Sequence, residues 1–161
     1  MTLKGELRDG LEIFLPRLGF EFTSPTENDS FEYFGMGADE CYSDMCSHAM
    51  VGMYSSCADK EYVNYAVPQE HGNHIRTKRL KMNNGITFAS DSEFEFNISK
   101  YTSEILTEAM HTDELKPNGF TNIRIDYKVS GIGSNSCGPR LAKQYRLDDK
   151  TINFSFYILL S

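Results

Sequence analysis

The sequence predicts a mainly β protein, an antiparallel β-sandwich built as one domain over residues 1–161. Apolar residues recur with a period of two in several short runs, which is the spacing of one face of a β-strand. These runs are separated by turn residues such as Gly, Pro, Asn and Asp. A length of 161 residues with 40% hydrophobic content is enough for one core but not for two.

The clearest strand lies at 123–129, where apolar side chains share one face and Arg124, Asp126 and Lys128 share the other. This alternation predicts a strand whose polar face meets water. Glu93 and Glu95 alternate with aromatic residues in the same way and are predicted to be solvated charges. In chain order, the predicted strands are 11–15, 20–22, 31–34, 94–98, 123–129 and 152–158.

One segment, 102–110, predicts a short helix instead. Thr102 or Ser103 is suited to cap its first turn, and Tyr101, Ile105 and Ala109 recur at a spacing of four. Clusters of Gly, Pro, Asn and Ser predict loops at 23–30, 82–85, 116–119 and 131–139.

The charge balance argues against a nucleic-acid partner, since 16 Lys and Arg face 23 Asp and Glu for a net charge of −7. The first ten residues lack the apolar core of a secretory signal, and no later stretch is long and apolar enough to cross a membrane. We therefore expect a cytoplasmic protein without a membrane partner, whose cysteines are reduced thiols.

Cys41, Cys46, His48 and Cys57 lie close together in sequence and raise the question of a metal site. Their spacings do not match the paired Cys-x2-Cys pattern of structural zinc sites. We expect these cysteines to be small buried side chains, and we predict no metal site and no catalytic residue in this chain.

The segment 68–73, Pro-Gln-Glu-His-Gly-Asn, places polar side chains around a glycine, shortly after the aromatic residue Tyr65. A carboxylate, an imidazole and an amide suit the hydroxyl groups of a sugar. The same residue types also build turns in which side chains bond to their own backbone. Both interpretations remain open for Glu70, His71 and Asn73.

The loop 131–139 is the most unusual segment, because three Gly and one Pro occur in nine residues. It presents Asn135, Ser136 and Cys137 after the predicted strand 123–129. Taken alone, the loop is either a long connection between strands or a ligand loop.

At these two segments the sequence resembles a known family. The run 65–77 resembles the Pro-Gln-Glu-Asn-Gly-Asn motif in the C-terminal domain of family 2 β-galactosidases, the region also called the small chain. Departures from the family pattern are Ala38 in place of Pro, and Cys41 and His71 in place of Asn. The other segments that resemble family motifs, in the same order, are 15–19, 33–44, 96–101 with the following helix, and 131–139.

The resemblance implies a galactose mutarotase-like sandwich, of which this chain is a part because the family's domain is longer. It also implies that the two catalytic Glu residues lie on a preceding (β/α)8 barrel, so that the chain alone is inactive. In the family, the loop matching 131–139 closes one side of the galactosyl site, where Cys137 takes the position of an aromatic residue or a Cys. The family's Mg and Na ions are bound elsewhere, and none is expected in this chain.

Our leading hypothesis is a non-catalytic domain of a β-galactosidase that acts on galactosides such as lactose and has the barrel domain as its partner. One alternative is an autonomous carbohydrate-binding sandwich that uses Tyr65, Glu70, His71 and Asn73. A third is an independent aldose-epimerase-like enzyme. Because a partial sandwich leaves strand edges open, we also expect self-association.

Overall fold

The computed structural model describes residues 1–6, 14–132 and 139–160. These ranges contain nine strands, one α-helix and two short 3-10 helices. The helix, α1, spans Ser103–Glu108, and the 3-10 turns span Thr112–Glu114 and Lys143–Tyr145. The strands are β1 Thr2–Glu6, β2 Arg17–Pro25, β3 Ser30–Gly37, β4 Met50–Cys57, β5 Asn73–Met82, β6 Ile86–Ser99, β7 Phe120–Val129, β8 Thr151–Ser155 and β9 Tyr157–Leu160.

The strands form two antiparallel sheets. The larger sheet has the order β2-β7-β6-β5-β3-β4, with β9 paired to the first residues of β6. The smaller sheet contains β1 and β8. Its side chains Leu3 and Phe154 pack against the inner face of the larger sheet. The predicted antiparallel β-sandwich is therefore confirmed.

The core between the sheets is rich in aromatic rings. Phe156 lies at its centre, with ring centroids 5.5 Å from Phe20 and from Phe154. Such edge-to-face and tilted contacts add to the free energy gained by removing the rings from water. The core residues are Phe31, Tyr33, Ala58, Leu80, Met82, Phe88, Phe94, Phe96, Ile98, Ile123, Ile125, Phe154 and Phe156.

The predicted strands 20–22, 31–34, 94–98 and 123–129 are confirmed within β2, β3, β6 and β7. Residues 11–13 of the predicted strand 11–15 lie outside the described residues. The prediction of one strand at 152–158 was wrong. The chain leaves the small sheet at the buried Phe156, and β8 and β9 then pair with different partners, β1 and β6.

Three strands, β1, β4 and β5, were not predicted. β5 begins in the polar segment that follows Pro68, and its register shifts around Arg76, whose φ is 55°. The predicted loop 23–30 was wrong for its first three residues, because β2 pairs with β7 as far as Pro25. The loops 82–85 and 116–119 are confirmed, with positive φ at Gly85 and Gly119.

The predicted helix is confirmed as α1. The Thr102 hydroxyl caps it by accepting a hydrogen bond from the backbone N–H of Ile105 at 3.4 Å. Leu106 is buried and fixes the helix to the sandwich. Within the described ranges, no helix is long and apolar enough to cross a membrane.

The prediction that the polar face of strand 123–129 meets water was wrong. Asp126 and Arg124 are only 2% and 3% exposed. They lie on the outer face of the sheet, opposite the core, and Arg17 and the segment around Glu70 cover them. The alternation therefore identified the two faces correctly, but both faces are buried at this place.

The packing over Asp126 generates a prediction about Gly19, its partner in β2. A Cβ at Gly19 would lie 2.2 Å from Oδ1 of Asp126 and 2.4 Å from the backbone oxygen of Ile125. We expect Gly19→Ala to lower the free energy of unfolding by about 1–3 kcal/mol in urea denaturation. The matched control is Gly5→Ala in β1, where a Cβ meets no atom within 4 Å. Equal stabilities of the two variants would contradict this account.

Candidate functional site

The polar side chains on the outer face of β5, β6 and β7 form one connected group, which we call the outer-face network. Three neighbouring strands contribute to it, and they place their polar residues side by side in register. Arg17 at the start of β2 and Glu70 in the segment before β5 then close over this row. The network consists of Arg17, Glu70, Asn73, Glu95, Asn97, Arg124 and Asp126.

Arg17 joins the two carboxylates of the network. Its Nη1 donates to Oε2 of Glu70 at 2.9 Å, and its Nη2 donates to Oδ2 of Asp126 at 2.6 Å. Burial alone would lower the pKa of Arg17, but the two carboxylates raise it, so the guanidinium stays charged. Burial also raises the pKa of Asp126, although the Arg17 charge opposes this shift. Arg17 therefore supplies the positive charge that a buried carboxylate requires.

Arg124 is the second cation of the network. Its Nη1 lies 3.4 Å from Oδ1 of Asn97 and 3.8 Å from Oε2 of Glu70, and its Nε lies 3.6 Å from Oε2 of Glu21. Glu70 is thus placed between two guanidinium groups. This arrangement balances the buried charges and fixes the segment that carries Glu70 to the sheet.

Glu95 was predicted to be a solvated charge, and this prediction was wrong. Its Oε2 accepts hydrogen bonds from Nδ2 of Asn73 at 3.0 Å and from the backbone N–H of Val129 at 3.2 Å. Burial raises the pKa of Glu95 to about 8, and the nearby Asp126 carboxylate adds to the shift. At neutral pH the side chain is mainly uncharged. Glu93, its neighbour in β6, is exposed as predicted.

The predicted site residues Glu70, His71 and Asn73 are brought together by the tight turn at Gly72, which has a φ of 70°. Asn73 is fully buried, and its Nδ2 also donates to the backbone oxygen of Cys41 at 3.2 Å. His71 is 4% exposed, with Nδ1 2.8 Å from the backbone oxygen of Gln69. Glu70 retains partial exposure, at 26% of its side chain.

Glu40 anchors the same turn from the other side. Its Oε2 accepts a hydrogen bond from the backbone N–H of Gly72 at 2.7 Å, and its Oε1 accepts one from the hydroxyl of Tyr65. Gly72 lies outside the helices and strands, so its N–H needs a partner from elsewhere in the chain, and Glu40 supplies it. Tyr65 is thereby held beside the turn, as the carbohydrate-binding alternative requires.

The other predicted site residues, Asn135, Ser136 and Cys137, lie outside the described residues. Several hydrogen bonds hold the base of their loop. The backbone N–H groups of Ser130 and Gly131 donate to Pro16 and Tyr145 oxygens at 2.8 and 2.9 Å. The Ile132 N–H donates to Oδ1 of Asp44 at 3.1 Å. Since Val129 N–H bonds to Glu95, the loop starts directly beside the outer-face network.

A second polar group lies on the inner face of the sheet. His74 is fully buried, and its Nε2 lies 2.7 Å from Oε2 of Glu61 while its Nδ1 lies 3.1 Å from the Tyr33 hydroxyl. Burial alone would lower the pKa of His74, but hydrogen bonds to Cys41 and Glu61 raise it to about 9. His74 is therefore a buried cation paired with Glu61. A cleft of about 590 Å³ adjoins this pair, with Tyr33, Glu40, His48, Tyr54 and Glu61 among its lining residues.

The described residues contain no group of three or more His, Cys, Asp or Glu side chains arranged to hold a metal ion. Cys41, Cys46 and Cys57 are free thiols. Cys41 is buried as predicted, but the prediction was wrong for Cys46 and Cys57, which are only partly buried. In the outer-face network Arg17 pairs with the carboxylates of Glu70 and Asp126, Arg124 adds a second positive charge near Glu70, and the raised pKa of Glu95 favours its neutral form. These contacts join the start of β2, the strand β7 and the segment before β5.

Sequence reasoning missed Arg17, Glu95, Arg124 and Asp126 as members of a common site. For Arg17 the sequence did offer an indication, because this residue lies in the segment 15–19, which resembles a family motif. The sequence offered no indication for Arg124 and Asp126. In an alternating strand, charged residues occupy every second position whether water or another charged residue covers them.

The chain was compared with known proteins. The family model described as "Beta galactosidase small chain" matches residues 1–158. A β-galactosidase of Actinobacillus pleuropneumoniae is 42% identical over 91% of this chain and 14% of its own length. β-Galactosidases of Staphylococcus xylosus and Kluyveromyces lactis are each 36% identical, over 92% and 88% of this chain and 15% and 14% of their lengths. The chain thus spans about one seventh of these relatives.

The raised pKa values predict how stability depends on pH. Glu95 titrates near 4.5 when unfolded and about 8 when folded, and His74 near 6.5 and about 9. A group whose pKa is higher in the folded protein contributes its full stabilisation below its unfolded pKa. This stabilisation is lost as the pH rises through the folded pKa. We expect the free energy of unfolding to fall between pH 5 and 9, by up to about 1.4 kcal/mol per pH unit for each proton.

Glu95→Gln isolates the contribution of one group. The amide oxygen still accepts from Asn73 and Val129, but the proton linkage is removed, so the decrease between pH 5 and 8 becomes shallower. The control is Glu93→Gln on the same strand, whose exposed carboxylate should leave the slope unchanged. Urea denaturation at several pH values measures all three proteins. Equal slopes for wild type and Glu95→Gln would disprove the assignment.

Proposed function

The chain belongs to the β-galactosidase small chain family, and we propose that it is a non-catalytic part of a β-galactosidase that hydrolyses terminal β-D-galactosides such as lactose. In this proposal the chain supports the catalytic barrel and completes one wall of the galactosyl site. The metal ions of the enzyme would bind outside this chain.

One observation carries the proposal. About nine tenths of this chain aligns with β-galactosidases, but the alignment covers only 14% to 15% of their length. Most of such an enzyme therefore lies outside the matched region. The carboxylates of the outer-face network are paired with Arg17 or uncharged, which agrees with a catalytic pair located elsewhere.

The contribution to the galactosyl site is assigned to the loop 131–139, with Asn135, Ser136 and Cys137 as its contact residues. The support for this role is the attachment of the loop base. Ile132 is bonded to Asp44, and Val129 is bonded to Glu95 in the outer-face network. A binding wall needs a base that is held in place, and these bonds hold the residues from which the loop starts. Cys137 would offer the sugar a small polarisable surface.

A second candidate function is an autonomous carbohydrate-binding module at Tyr65, Glu70, His71 and Asn73. Tyr65 and Glu70 are partly exposed and accessible to a sugar, whereas His71 and Asn73 are buried and hold the turn. The observation in its favour is that Glu40, which accepts hydrogen bonds from Tyr65 and from the Gly72 N–H, also lines a cleft of about 590 Å³, although the four candidate residues are not among the lining residues. Titration of the isolated chain with galactose or lactose decides between the candidates. A Kd below about 1 mM would favour the autonomous module.

The leading proposal predicts inactivity of the chain alone and activity in combination. The 161-residue chain should not hydrolyse a chromogenic β-galactoside. Produced together with the Actinobacillus pleuropneumoniae β-galactosidase from which the matched region has been removed, it should restore hydrolysis. Activity of the isolated chain would contradict the proposal, as would a failure to restore activity when both pieces are folded.

Within the restored enzyme, Cys137→Ala should raise KM several-fold, by about 1 kcal/mol of lost sugar contact, with a smaller effect on kcat. Cys57→Ala is the matched control, since Cys57 is a free thiol at the end of β4 and is not in the proposed wall. Equal KM values for the two variants would remove Cys137 from the galactosyl site.

A further inference from the structure

The two edges of the larger sheet differ in how they are protected. β2 forms one edge and β4 forms the other. β2 contains Arg17, Glu21 and Pro25, and its register shifts between Leu18 and Gly19. Charges, proline and a bulge are the features that prevent an edge strand from pairing with another strand. The β2 edge is therefore protected.

β4 has none of these features. Its sequence, Met-Val-Gly-Met-Tyr-Ser-Ser-Cys, contains no charge and no proline, and all eight residues pair with β3 without a register shift. β8 and β9 are also uncharged, but they are only five and four residues long, which itself limits pairing. β4 is thus the long, regular and unprotected edge in the part of the chain that the structure describes.

Along most of β4, no described residue bonds to the backbone groups that point away from β3. Outside the ladder with β3, its recorded bonds to described residues occur only at the two ends. The Met50 oxygen accepts from the Tyr54 hydroxyl, and the Cys57 oxygen accepts from the N–H groups of Lys60 and Glu61. An added strand would find the edge from Val51 to Ser56 available.

Four apolar side chains lie on the outer face beside the first half of this edge, flanked by Glu32 and Arg79. Phe34 of β3 lies directly opposite Met53 of β4, and Met36 lies opposite Val51, so the four side chains share one face. Phe34, Val51 and Met53 are 39%, 44% and 62% exposed. Two clefts, of about 470 and 590 Å³, adjoin the second half of β4, and both are lined by Ser55 and Ser56. Pockets beside a free edge accommodate the side chains of an added strand.

We propose that an extended strand from the rest of the β-galactosidase pairs with β4 and covers Val51, Met53 and Phe34. This inference rests on the proposed function. In the relatives, the matched region is part of a polypeptide about seven times longer. A strand from the same polypeptide has a high effective concentration, which favours it over a second copy of this chain.

The test uses the same combination of pieces as the activity assay. The isolated chain and the chain bound to the truncated Actinobacillus pleuropneumoniae enzyme are compared by hydrogen exchange. We expect the amides of β4 to exchange at least about tenfold more slowly in the complex than in the isolated chain. The variant with Val51→Lys and Met53→Lys should bind the truncated enzyme at least about tenfold more weakly.

The matched control is Thr23→Lys, which adds an exposed charge to the protected β2 edge and should bind like wild type. Circular dichroism of the isolated variants establishes that each is folded, since the substituted side chains are exposed.

The outcomes separate the inference from the proposed function. Association with unchanged exchange in β4 and unchanged binding of the lysine variant would overturn the inference alone. Failure of the folded wild-type chain to associate would overturn both. A third outcome is that the amides of β4 in the isolated chain exchange more slowly as the protein concentration rises. That result would show that β4 pairs with a second copy of the chain, and it would also overturn the inference.

Discussion

Asp126 and Glu70 hold their positions on the outer face of the sheet because the Arg17 guanidinium lies between them. Each belongs to a different part of the chain. Arg17 begins β2, Glu70 lies in the turn before β5, and Asp126 lies in the central strand β7. Because a buried carboxylate without a cation is very unfavourable, the three segments are required to meet. The ion pairs thus determine how the outer face is closed.

This constraint extends to the two segments that suggested a function. Glu40 holds the turn at Gly72 by accepting a hydrogen bond from its backbone N–H. Asn73 donates to Glu95, and Glu95 also accepts a hydrogen bond from the backbone N–H of Val129. The loop 131–139 begins two residues later. Segments that are distant in sequence, 68–73 and 131–139, therefore share one polar support. Under the proposed function, this support would hold the base of the wall of the galactosyl site.

The sequence predicted the sandwich well where side-chain alternation reports on the core, as in β3 and β7. It could not predict that the polar residues Arg124 and Asp126 are covered, because their cover comes from residues more than 50 positions away in the chain. It also missed β4, which has no alternation and one free edge, and the change of sheet at Phe156. Glu70, His71 and Asn73 were recognised from their motif, and Glu95 was not, because its pKa depends on neighbours from other strands.

A double-mutant cycle between Arg17 and Asp126 tests the central claim most directly. Arg17→Met, Asp126→Leu and the double variant are compared with wild type by urea denaturation of the 161-residue chain. Arg17→Met should lose about 3 kcal/mol, because it leaves the buried Asp126 carboxylate without its cation. Asp126→Leu should lose less, because Arg17 keeps its ion pair with Glu70. The double variant should lose less than the sum, with a coupling of at least about 1 kcal/mol. Additive losses would contradict the claim that this ion pair holds the outer face together.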